Sequence, residues 1–199
     1  KPCRSIKVTQ VKTYNIATLP ADGIGPEVIE AGVAVLQALA ARDGGFALNF
    51  TAFDWGSAFY RKHGKMMPDD GLEKLRPHDA IFFGAVGAPD VPDYITLWGL
   101  RLPICQGFDQ YANVRPTRIL PGISAPLRDR GPGDLDWVIV RENSEGEYAG
   151  HGGRAHRGLP EEVATETAIF TRVGVTRIMR YAFSLCLLYT SPSPRDKSS

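Results

Sequence analysis

The stretch from Tyr14 to Ala41 limits the possible folds more than any other part of the chain. Tyr14 to Leu19 (YNIATL) is a short, mostly apolar run, and the turn Pro20-Ala21-Asp22-Gly23-Ile24-Gly25 follows at once. Pro26 to Ala41 then carries Val28, Ile29, Val33, Leu36, Leu39 and Ala40 at the spacing of one buried helical face. Pro26 suits the first helical turn, where its missing N–H costs nothing, and Glu27 complements the positive end of the dipole. Strand, glycine turn and helix in immediate succession predict the opening of an α/β domain. Gly23 and Gly25 alone read as a structural turn as readily as a nucleotide loop, because Val28 stands where a dinucleotide fingerprint has its third glycine.

The rest of the chain continues the alternation. Phe46 to Trp55 reads as a half-exposed strand, Ser57 to His63 and Asp69 to Leu75 as short helices, and Asp79 to Gly84 as a strand buried on both faces. Ala85 to Pro89 then forms a small-residue loop beyond a strand's carboxyl end, where open α/β sheets bind ligands. A helix is expected to begin near Leu102, with Pro103 in its first turn. Tyr111 to Leu120 is a strand that Pro116 confines to an edge or bend, and Pro121 to Gly133 is a loop. Asp136 to Val140 is a buried strand, Gly150 to Pro160 a glycine-rich basic segment, Glu161 to Phe170 a strand, and Thr171 to Cys186 an amphipathic helix.

Composition excludes some functions. With 199 residues, a net charge of +1 and scattered basic residues, nothing argues for nucleic acid or an anionic membrane surface. No run reaches the roughly 18 apolar residues of a membrane span. The first residues lack the apolar core of a secretory signal, and Cys3, Cys105 and Cys186 suggest neither a disulfide framework nor a zinc site, so the cytoplasm is the expected compartment.

Two stretches carry the chemistry. Leu97 to Pro116 (LWGLRLPICQGFDQYANVRP) and Arg141 to Gly150 (RENSEGEYAG) set arginines beside aromatic and small residues near strand ends. A guanidinium offers a planar fork of donors that matches a carboxylate or phosphate edge. Arg101, Arg115 and Arg141 are therefore either surface charges or, with Tyr148 close by, the walls of a pocket for a small polyanionic acid.

With these residues in view, the chain resembles the β-decarboxylating dehydrogenase family, which spans isocitrate, isopropylmalate, D-malate and tartrate dehydrogenases. The resemblance rests on DGIGPEV (Asp22 to Val28), HGKMMPDD (His63 to Asp70), FFGAVGAP (Phe82 to Pro89), FDQYANVRP (Phe108 to Pro116) and VIVRENSEGEYAGHGGR (Val138 to Arg154). These pieces keep the family's order from about Tyr14 to Leu185, and the combination LWG, FDQY and GEYAGHGGR is most similar to the tartrate/D-malate branch.

The resemblance implies an α/β protein with the two-domain isocitrate/isopropylmalate dehydrogenase-like fold, truncated here. It implies NAD- and divalent-metal-dependent oxidation of a 2-hydroxy dicarboxylic acid such as tartrate or D-malate, with loss of the β-carboxylate. Arg115 and Arg141 then match substrate-gripping arginines, and Tyr148 matches the tyrosine that protonates the enol. Ile24, the loop Ala85, Val86 and Gly87, and Thr96 with Leu97 match the cofactor side. Gly150 to Phe170 matches an arm that clasps a second subunit, so a homodimer is implied. Mg or Mn is expected to be held outside this chain, with no metal ligand assigned within it.

Two positions depart from the family pattern. Cys105 stands where the first substrate arginine belongs, and Arg101, four residues earlier, substitutes for it if the segment is helical throughout. Ala21 replaces a glycine of the opening turn, a mild change if its φ is negative. The expected organisation is a first α/β domain over 1–110 on the NAD side, part of a second domain over 111–186 with the substrate arginines and dimer arm, and a non-native tail over 187–199. On this reading the chain is an amino-terminal piece, inactive by itself. The alternatives are a 3-isopropylmalate dehydrogenase and a short non-catalytic protein that binds a carboxylate or nucleotide.

Overall fold

The chain forms two compact units, Lys1–Ile104 and Cys105–Ser199, divided a few residues before the expected boundary at 110. The computed structural model describes residues 11–189. Cys3 and most of the expected tail lie outside the described residues.

The first unit is built on a three-stranded parallel sheet in the order β2-β1-β3, with β1 (Lys12–Ala21) central, β2 Phe46–Ala52 and β3 Ala80–Ala85. Parallel strands need crossovers, supplied by α1 (Gly25–Asp43) and by α2 (Ser57–His63) with α3 (Gly71–Leu75). As the central strand, β1 buries Ala17, Thr18 and Leu19. Around it Met66, Leu75, Leu100 and Leu102 are fully buried, each such side chain contributing roughly 1.5–3 kcal/mol. The expected double burial of Asp79 to Gly84 is not found: Ile81 to Ala85 are only half-buried, because β3 pairs with β1 alone among the described strands.

Close backbone packing explains the glycines of the opening turn. A β-carbon on Gly25 would lie 1.9 Å from the Pro20 carbonyl oxygen, and one on Gly84 would lie 2.3 Å from the same atom. Gly25 and Gly84 therefore let the start of α1 press onto the ends of β1 and β3. Ala21 has φ +57°, so the expectation of a mild replacement is corrected: a residue with a side chain occupies the left-handed region.

The helix expected to begin near Leu102 begins earlier. The path is helical from α4 (Asp93–Thr96) through a π-helical turn (Leu97–Arg101) into α5 (Leu102–Gly107). The Leu102 N–H reaches back to the Leu97 carbonyl, a five-residue span immediately before Pro103. Widening the turn there relieves the clash that proline makes with the preceding turn of an α-helix. Pro103 is accommodated and does not start the helix.

The second unit contains two antiparallel pairs and one long helix. β4 (Ala112–Arg118) pairs with β5 (Asp136–Glu142), and β6 (Gly146–Ala155) pairs with β7 (Val163–Ile169). Pro116 lies in a two-stranded pair opposite Val138, an edge position as expected. The expected burial of Asp136 to Val140 is corrected: Trp137 is 58% and Ile139 47% exposed. Only one face of this pair meets α6 (Arg172–Tyr189), where Val138 and Val140 share a cavity with Ala182, Leu185 and Cys186. Within the glycine-rich segment Gly150 to Pro160, β6 runs as far as Ala155. A β-carbon on Gly152 would lie 2.2 Å from the Thr165 carbonyl oxygen, so that glycine permits close approach across the hairpin. The helical pattern expected to stop at Cys186 continues through Tyr189.

Candidate active site

In the first unit, the end of β1 and the loop after β3 are tied together by Asp22, which is 8% exposed. Its carboxylate accepts hydrogen bonds from the Ser57 N–H and hydroxyl, each at 2.7 Å, and from the Gly87 N–H at 3.1 Å. The Asp22 N–H donates to the Ala85 carbonyl at 2.7 Å, so one residue holds the turn, the start of α2 and the loop. Ile24 lies on this surface with 63% exposure, and Ala85, Val86 and Gly87 are half-buried beside it. The β-carbon positions of Gly23 and Gly87 open onto free space, so backbone is accessible at the carboxyl ends of two parallel strands. Open α/β sheets bind ligands at such strand ends. Thr96 is placed differently: it is 1% exposed and its hydroxyl donates to the Asp93 carbonyl, while Leu97 is half-buried in the π turn. The resemblance implies a divalent metal, but among the described residues no three His, Cys, Asp or Glu side chains gather to hold one.

In the second unit, strand parity brings the two arginines to one face. Arg141 pairs with Asn113 and Arg115 with Ile139, so these four side chains lie on the face of β4 and β5 away from α6. Arg115 and Arg141 are diagonal neighbours, with α-carbons roughly 7–8 Å apart. Two guanidiniums at that spacing can each hold one carboxylate of a small diacid. Arg115 is exposed and Arg141 half-buried.

The turn from β5 to β6 sets Tyr148 beside Arg141, whose guanidinium carbon lies 5.2 Å from the Tyr148 ring centre. The Arg141 Nε is buried without a hydrogen-bond partner, and a side-chain nitrogen donates weakly to the Asn143 Oδ1 at 3.5 Å. Asn143 is 4% exposed and fixes the turn: its N–H donates to the Tyr111 carbonyl at 2.8 Å, and its Nδ2 to the Gln110 carbonyl at 3.2 Å. The Gln106 Nε2 donates to the Tyr148 carbonyl at 2.9 Å. Cys105 is half-buried, and the unbroken helix meets the condition set for Arg101, which stands one turn earlier on that helix.

Several supporting residues escaped the sequence reading. Glu142 accepts from the Ser144 N–H and hydroxyl at 2.8 and 2.7 Å and from the Glu145 N–H. Arg177 donates to Glu142 at 3.3 Å, to the Ser144 hydroxyl at 2.7 Å and to Asp109 at 3.0 Å. Burial opposes the Glu142 charge, but the Ser144 hydroxyl, the Glu145 and Ser144 N–H groups and Arg177 outweigh it, holding the carboxyl below its usual range. An arginine in an amphipathic helix carries no sequence signal for such a role. Asp22 did carry one, as an acidic residue inside a tight turn.

A parallel βαβ unit with open backbone at its strand ends, and an antiparallel unit presenting paired arginines beside a tyrosine, define the chain as an α/β protein. The family model described as isocitrate/isopropylmalate dehydrogenase matches residues 15–192, and the chain belongs to that family. It is 78% identical over 175 residues to a probable tartrate dehydrogenase/decarboxylase of Agrobacterium vitis, covering 88% of this chain and 49% of that protein. It is 54% identical over 177 residues to the D-malate dehydrogenase (decarboxylating) of Escherichia coli, covering 88% of this chain and 49% of that protein. The crystal structure of isocitrate dehydrogenase from Methylococcus capsulatus superposes with a TM-score of 0.71 at 32% identity, covering 87% of this chain and 48% of that chain. The chain thus spans about half the length of the curated relatives it matches. Among the described residues no helix is long and apolar enough to cross a membrane.

Proposed function

We propose that the complete protein oxidises a 2-hydroxy dicarboxylic acid, tartrate or D-malate, with NAD and a divalent metal, Mg or Mn, and releases the β-carboxylate as carbon dioxide. The observation that carries this reading is the shared face of Arg115 and Arg141 with Tyr148 against Arg141. Arg115 and Arg141 hold the substrate's carboxylates, and Arg101 substitutes for the arginine expected at Cys105. Tyr148 delivers a proton to the carbon from which carbon dioxide departs; regaining that proton at neutral pH needs a cationic neighbour or a relay, a place Arg141 can fill. When bound, NAD accepts the hydride from the hydroxyl-bearing carbon. Ile24 and the loop Ala85 to Gly87 lie against it, Thr96 and Leu97 set the helix beside it, and Asp22 holds the loop in place. The metal would polarise the substrate hydroxyl and stabilise the enolate.

The β6–β7 hairpin is exposed along almost its whole length and suits an arm that clasps a second copy, giving a homodimer. The deciding experiment supplies the complete protein with Mn²⁺ and NAD and offers D-malate, tartrate and 3-isopropylmalate in turn. NADH formation with either of the first two, with a raised KM in Arg141→Gln, is expected. No NADH from any of the three acids, or an Arg141→Gln enzyme with unchanged KM, would overturn the reading.

A further inference from the structure

We propose that the groove between α6 and Tyr111 is a binding site for a small polyanion bearing two or more phosphate or carboxylate groups. The groove holds about 700 Å³, within the range of small-molecule pockets and larger than a single oxyanion needs. Arg172, Thr176 and Arg180 recur at four-residue spacing, so they share one face of α6, and Ser184 continues that face along the groove.

The floor is preorganised. The Arg177 guanidinium carbon lies 4.5 Å over the Tyr111 ring, and Tyr181 meets that ring edge-on with centroids 6.2 Å apart. The acidic side chains that bond α6 and its first turn are already engaged. Asp109 and Glu142 bond Arg177, and Glu145 accepts from the Thr171 N–H and hydroxyl. Among the described residues Arg172 and Arg180 form no ion pair. Glu145, on the Thr171 N–H and hydroxyl, already answers the positive end of the α6 dipole, so the guanidiniums of Arg172 and Arg180 are the charges left for a ligand. A polyanion spanning Arg172 and Arg180 supplies the counter-charge they lack and gains the groove's hydroxyl groups as donors.

The site is independent of the diacid face, because Arg115 and Arg141 lie on the side of β4 and β5 away from α6. To test it, the 199-residue chain is labelled with nitrogen-15 and titrated at constant ionic strength with inorganic pyrophosphate and, separately, with tricarballylate. Saturable shifts of the Arg172 and Arg180 side-chain Nε–H signals are expected with at least one of the two. In the double variant Arg172→Gln/Arg180→Gln the shifts of the Thr176 and Ser184 amides should saturate at about tenfold higher concentration or more. Both arginines are exposed, and an unchanged amide spectrum elsewhere shows that the variant keeps its fold. Saturation by pyrophosphate alone identifies a phosphate ligand, and by tricarballylate alone a polycarboxylate. No saturation by either below about 10 mM, or equal affinity in the double variant, overturns the proposal.

Discussion

The Arg141 guanidinium carbon lies 5.2 Å from the centre of the Tyr148 ring, although the two residues stand on different strands. The turn locked by Asn143 creates this pairing, and it places a cation against the residue proposed to move a proton. The two residues should then fail in different ways. In the complete enzyme, Tyr148→Phe should slow release of the decarboxylated product by about 10²–10⁴-fold with KM nearly unchanged. Arg141→Gln should raise KM by about tenfold or more, through loss of a charge-assisted bond. Separate measurement of NADH and carbon dioxide checks this; identical kinetic defects in the two variants would remove the assigned roles.

The Asp22 carboxylate accepts three hydrogen bonds while nearly buried. Asp22→Ala should cost about 3 kcal/mol of the first unit's stability, whereas Ser57→Ala removes one donor and should cost about 1 kcal/mol. Urea unfolding gives both values, and amide hydrogen exchange at Gly87 should accelerate in Asp22→Ala. Unchanged Gly87 exchange would show that the loop does not depend on this carboxylate.

Glu142 is held below the ordinary glutamate value of 4.5, its hydrogen bonds outweighing the cost of burial. A depressed folded-state pKa contributes stability that is present above the unfolded value and lost as pH falls through the folded one. The second unit should therefore weaken as pH drops below about 4.5, and Glu142→Gln should lower its stability at neutral pH while flattening this acid limb. Urea midpoints followed across that pH range decide the matter; an equally steep limb in the variant would assign it to other carboxylates.

Ala21 occupies the left-handed region at φ +57°. Ala21→Gly should stabilise the first unit by about 0.5–1 kcal/mol, the relief of the side-chain clash outweighing the extra freedom of glycine in the unfolded chain. A rise of a few degrees in Tm is the expected readout. A lower Tm would mean that the surrounding packing, where Gly56 approaches the Ala21 backbone, depends on the methyl group.

What the sequence determined by itself was local or carried by motif. Tyr14 to Ala41 defined a strand, a turn and a helix through periodicity and turn chemistry, and α2 fell on Ser57 to His63 as expected. The motif order was enough to assign the family that the comparisons bear out. What only the tertiary structure decided depends on groups far apart in the chain. The parity of β4 against β5 chooses the face on which Arg115 and Arg141 stand, and nothing near either residue fixes that register. The burial of β5 was misjudged because apolarity records what a strand can bury, while its exposure depends on how many elements cover it. Pro103 was misread for a related reason: a proline signals a helix boundary locally, but a single widened turn lets the backbone pass through it. Arg177 reaches Asp109 and Glu142 across 68 and 35 residues, so its partners exist only once α6 has docked.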